Sequence, residues 1–95
     1  MPNGQRGIVH ELGFDKEFEA LEPDPLIREE IISGIDFILG RFPQRGAFSE
    51  GRNVWIRELC DPFRKRRFWL FYTFNDHAVI LISIEQIQAF EIWPE

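Results

Sequence analysis

Between Asn53 and Ile84 the chain carries three runs of β-branched and aromatic residues, VWIREL, RFWLFYTF and AVILISI, separated by the basic turn DPFRKR and the short turn NDH. Such residues fit a pleated, half-buried surface, and turn-forming residues punctuate it. Val54 and Ile56 therefore point to one side of the first run, Trp55 and Arg57 to the other. In the second run Phe68, Leu70, Tyr72 and Phe74 alternate with Trp69, Phe71 and Thr73, so both faces are largely apolar and both require cover. The third run, Ala78 to Ile84, reads as a fully buried strand. Asp61-Pro62 and Asn75-Asp76 supply the turn chemistry, because Asp and Asn side chains bond nearby backbone and proline fixes φ. Two consecutive antiparallel hairpins are the expected result.

The N-terminal part supplies helices to cover that sheet. Gly7 to Leu12 reads as a first strand. Asp15 is placed to cap a short helix over Lys16 to Leu21, with Phe14, Phe18 and Leu21 along one stripe. Asp24-Pro25 opens a longer helix: the aspartate oxygen accepts an orphan N–H, and proline in the first turn sacrifices none. Ile27, Ile31, Ile35, Ile38 and Phe42 are its expected buried face, with Gly34 in the middle for close packing. The expected class is α+β, with an antiparallel sheet in the order strand, two helices, three-strand meander.

At 95 residues the chain is expected to form one small domain. Residues 1–6 read as a flexible lead-in and residues 85–95 as a tail. The longest apolar run falls far short of the roughly 20 residues that a membrane span requires, so no membrane partner is expected. MPNGQRG has no apolar signal core, and Cys60 is the only cysteine, which leaves no intrachain disulfide and makes a reducing cytoplasm the default compartment.

The element order, the Phe14-x-x-x-Phe18-x-x-Leu21 stripe, the Pro43-x-x-Gly46 linker and the hairpin RRFWLFYTFNDHAVILISI (66–84) together resemble the RelE/ParE superfamily of bacterial toxins. The resemblance covers about Gly7 to Ile84. It implies the toxin of a type II toxin-antitoxin pair, neutralised by a cognate antitoxin protein. Of the activities it implies, the RelE-like one, cleavage of mRNA on the ribosome, is the first expectation, with ParE-like inhibition of DNA gyrase or a non-catalytic protein-binding module of this fold as the alternatives. Two departures bear on the first. RelE-like nucleases carry a basic or histidine-containing segment after the last strand, where this chain reads SIEQIQAFEIWPE. Trp69 stands three residues before Tyr72, where those toxins place an arginine.

Charge is segregated along the chain. The net charge is −5, yet Arg41 to Asn75 holds eight basic residues against Glu50, Glu58 and Asp61, a local balance of +5. The first forty residues carry −6 and the last twenty −4. A basic patch on an acidic body steers towards a polyanion or an acidic partner within about 8 Å at physiological salt. Arg52, Arg64, Lys65 and Arg66 are the candidate RNA- or partner-binding residues. The alternative for Arg64 to Arg67 is a solvated turn that protects aromatic strands from edge pairing.

RNA cleavage needs a base for the 2′-hydroxyl, an acid for the leaving oxygen and cations for the phosphorane. Arginine fills only the last role, because it stays protonated. Arg57, Glu58, Arg67, Tyr72 and His77 form the candidate catalytic set, with Glu58 and His77 as the pair able to exchange protons. A regular strand points Glu58 away from Arg57, so one phosphate could meet both only through a bulge or unusual register. Cys60 with His10 or His77 is a nucleophile-and-base alternative to an apolar filler. His10, Cys60 and His77 lack metal-site spacing, and Gly40, Gly46 and Gly51 form no nucleotide fingerprint, so no metal or other cofactor is expected. In the tail, Ile87, Phe90 and Trp93 recur at helical spacing. They either close the core or form a sticky edge for an antitoxin or homodimer partner.

Overall fold

The structure, a computed structural model, describes residues 6–87. Its elements in chain order are β1 (Gly7–His10), α1 (Leu12–Leu21), α2 (Pro25–Arg41), a 3-10 turn (Pro43–Arg45), β2 (Ala47–Ser49), β3 (Val54–Asp61), β4 (Arg66–Phe74) and β5 (Ala78–Ile87). The five strands form one sheet in the order β1-β5-β4-β3-β2. The meander from β2 to β5 is antiparallel throughout, whereas β1 pairs β5 in parallel. The sheet is thus mixed, a correction to the antiparallel expectation. The two helices between β1 and the meander carry the chain back across one face, so that β1 runs alongside the last strand instead of hairpinning with a neighbour.

Cross-strand register assigns the faces. Trp55 lies opposite Tyr72, Arg57 opposite Leu70 and Leu59 opposite Phe68. These side chains share the helix-covered face, and Ile56, Glu58, Trp69 and Phe71 share the other. The core forms where Phe14 and Phe18 of α1 and Ile31, Ile35 and Leu39 of α2 meet Phe68, Leu70, Tyr72, Val79, Leu81 and Ile84. Leu39 takes the place expected for Phe42, which is 38% exposed beyond the end of α2. One residue too many on β5 between its pairings with Phe71 and Tyr72 makes a bulge.

Capping explains the helix boundaries. Asp24 Oδ1 accepts a bond from the Leu26 N–H at 2.9 Å, and Pro25 opens α2 as its sequence predicts. In contrast, α1 begins at Leu12 behind Glu11, earlier than the Asp15 cap predicts. Asp15 is drawn to His10 at 3.2 Å instead. Glu17 of α1 accepts from the Ser83 hydroxyl at 2.8 Å and from the Ile84 N–H at 3.0 Å. It thereby occupies the edge of β5 beyond the end of β1. A Cβ on Gly34 would meet nothing within 4 Å, so that glycine permits no close packing. The short strand β2 is not among the expected elements, and β5 runs three residues into the expected tail. The remaining tail residues, 88–95, and the lead-in up to residue 5 lie outside the described residues, as do Phe90 and Trp93.

Candidate functional site

The basic turn is placed by Lys65, whose φ of 56° reverses the chain between β3 and β4. Its arginines do not form a free patch. Arg64 donates to Glu30 of α2 at 2.7 Å and to Asp61 at 3.1 Å, and both bonds hold its guanidinium further into the charged form. Arg66 donates to Glu22 at 2.8 Å, with both side chains largely buried. Glu22 also accepts from the Asp24 N–H at 2.9 Å, and that backbone bond leads the effects, Arg66 among them, that lower its carboxyl below the usual range. The Glu22 carbonyl accepts from Arg28 at 2.7 Å. One residue therefore ties the end of α1, the start of α2 and the start of β4 together. Arg67 pairs with Glu58 across the strands, which raises the pKa of Arg67.

The candidate catalytic residues are distributed over three environments. Glu58 and Arg67 lie on the sheet face away from the helices. Arg57 lies on the helix-covered face, where its Nη1 donates to the Phe42 carbonyl at 3.4 Å. Tyr72 is fully buried, its hydroxyl donating to the Pro43 carbonyl at 2.5 Å, and burial raises its pKa against the opposing charge of Arg57. His77 sits in the turn between β4 and β5, its N–H held by Asn75 Oδ1 at 2.8 Å. Trp69, the cross-strand partner of Glu58, precedes Phe74 by five residues, about 17 Å of strand. Glu58 and His77 therefore do not meet, and the bulge that could have reoriented a strand falls on β5, away from both. Cys60 is exposed on β3, likewise far along the sheet from His77.

What the structure does bring together is a band of arginines and aromatic rings where α2 ends and β2 and β3 begin. The Arg41 guanidinium lies 5.1 Å from the Phe37 ring centre, and that of Arg45 lies 4.2 Å from Phe42. Phe48 and Trp55 have ring centres 5.5 Å apart, with Arg57 two residues along the same face as Trp55. Phe37 is 61% and Phe48 46% exposed. Among the described residues, Arg41, Arg45 and Arg57 have no carboxylate partner. Strand alternation alone puts Arg57 beside Trp55 on a basic face with aromatic walls, whereas the α2 end of the band was not expected, although Phe37 and Arg41, four residues apart on α2, carried a usable signal.

No protein-family model matches the sequence, and neither the curated proteins nor the solved structures yield a match. No helix among the described residues is long and apolar enough to cross a membrane.

Proposed function

We propose that this chain is a RelE/ParE-type toxin component that acts by binding a protein partner, without cleaving RNA. The observation that carries the binding half of this reading is the band of Arg41, Arg45 and Arg57 interleaved with Phe37, Phe42 and Phe48. Guanidinium groups lying on rings keep their N–H edges available, so the band suits a partner segment that alternates carboxylates with apolar side chains. The separation of Glu58 from His77 and the burial of Tyr72 argue against a proton-transfer site. The resemblance in element order supports the toxin half.

A second reading keeps the band and changes its occupant. The same stacked pairs accept an unstacked base and its phosphate, which favours contact with mRNA on the ribosome. Regulated expression in bacteria separates these readings, with growth and the incorporation of labelled amino acids and thymidine followed in parallel. Growth arrest that is retained by Glu58→Gln/His77→Ala and lost by Arg41→Ala/Arg45→Ala/Arg57→Ala supports binding. Arrest lost in the first variant, with its fold intact, would overturn it. Selective loss of thymidine incorporation identifies gyrase as the target, and loss of amino-acid incorporation identifies translation.

A further inference from the structure

The sheet face turned away from the helices has an apolar centre, and no other element packs on it among the described residues. Ile56 and Phe71 floor a hollow of about 480 Å³, with Trp69 standing beside them 39% exposed. Two charged residues flank this floor. On one side Arg52 reaches over the edge of the floor, its guanidinium 5.2 Å from the centre of the buried Phe71 ring. On the other, Glu85 lies directly across the strands from Trp69. Both are exposed. Neither has an ion-pair partner among the described residues. The remaining charges on this face, Glu58 and Arg67, neutralise one another.

An apolar floor with one unpaired cation on one side and one unpaired anion on the other is complementary to itself. A twofold axis lying in the plane of contact and passing between Arg52 and Glu85 lays floor on floor. The same operation sets each Arg52 against the Glu85 of the other copy. A partner of single charge sign would satisfy one of these residues and oppose the other. We propose that a second copy of this chain docks face to face on this sheet surface, with the Arg52–Glu85 pair made twice across the twofold. The dimer leaves the band at the end of α2 on the outer side of each sheet, so it stands or falls independently of the proposed function.

Sedimentation equilibrium of the full chain tests the proposal, over about 1 to 100 μM, where modest interfaces associate. The expected result is a reversible monomer–dimer equilibrium. Arg52→Glu and Glu85→Arg should each raise the dimer Kd about tenfold or more, because each opposes like charges twice. Mixing the two variants should restore association as a heterodimer. The introduced carboxylate of one variant then faces the introduced guanidinium of the other, while the remaining native Arg52 and Glu85 meet at the second contact. Near-ultraviolet circular dichroism establishes that each variant is folded. A wild-type chain that stays monomeric would overturn the proposal and leave the face to a different protein. Single variants that dimerise like wild type, or a mixture of folded variants that does not associate, would overturn it equally.

Discussion

Tyr72 divides a structural from a catalytic reading of β4, and Tyr72→Phe tests the division directly. The ring is fully buried and its hydroxyl donates to the carbonyl of buried Pro43. Removing the hydroxyl leaves that carbonyl only the long bond from the Gly46 N–H at 3.5 Å, which costs about 1–2 kcal/mol. For a chain of this size that lowers the thermal midpoint by roughly 5–15 °C. Gly46 makes a second, linked perturbation. A Cβ there would lie 2.8 Å from the Ile56 carbonyl oxygen and would collide with the Tyr72 hydroxyl. Gly46→Ala alone should therefore cost about 1–3 kcal/mol through overpacking. In the Tyr72→Phe background the hydroxyl half of that collision is gone and the carbonyl half remains. The two substitutions should thus be less than additive, with a coupling of about 0.5–1 kcal/mol. Urea unfolding of wild type, both single variants and the double variant measures each term. Strict additivity would refute the packing argument, and an unchanged midpoint with lost growth arrest would return Tyr72 to the chemistry.

Two carboxyl groups should respond to pH in opposite directions. Burial holds Asp36 above the usual carboxylate range against the opposing pull of His10, and its Oδ1 has no hydrogen-bond partner among the described residues. The fold favours its neutral form, so this contribution is present below about pH 4 and is lost as pH rises through the raised pKa. Asp36→Asn should melt above wild type at pH 7, with the gap closing towards pH 3 in thermal scans. Glu22 is held below its usual range, so its contribution is present above about pH 4.3 and is lost on acidification. Arg66→Ala, which strips its buried partner, should lower the midpoint at pH 7 and flatten the acid limb in the same scans. Lys65→Gly should stabilise by about 0.5–1 kcal/mol in urea unfolding, because the left-handed backbone at Lys65 suits glycine, less the extra freedom glycine has when unfolded.

The parts of the fold legible in the sequence were those that local rules determine. Alternation from Val54 to Phe74 gave two strands and their faces, and Asp24-Pro25 gave the start of α2, whereas β5, expected to be fully buried, alternates buried and half-buried residues because one face of the sheet has no cover among the described residues. The misses came from longer-range terms. Pairing of β1 with β5 depends on where two helices return the chain, and four residues of β1 carry no mark of parallel or antiparallel partnership. The three-residue β2 is too short to show a period. Phe42 continues the helical stripe in sequence, yet the chain leaves the helix there for the 3-10 turn and Leu39 fills the core instead.

The site was harder to read, for an electrostatic reason. Along the chain, the acidic first forty residues and the basic middle look like separate poles. In space, Glu22 and Glu30 come from the acidic stretch and meet Arg66 and Arg64 of the basic turn. Sequence-local charge balance therefore measured a polarity that folding cancels at the basic turn, as each carboxylate settles an arginine that burial would otherwise penalise. The arginines left over are the ones lying on aromatic rings or a backbone carbonyl, because a ring or carbonyl binds a guanidinium without neutralising it. Uncancelled charge thus collects beside Phe37, Phe42 and Phe71, at the end of α2 and on the open sheet face. A search for partners of this chain belongs at those two surfaces, not at the basic turn.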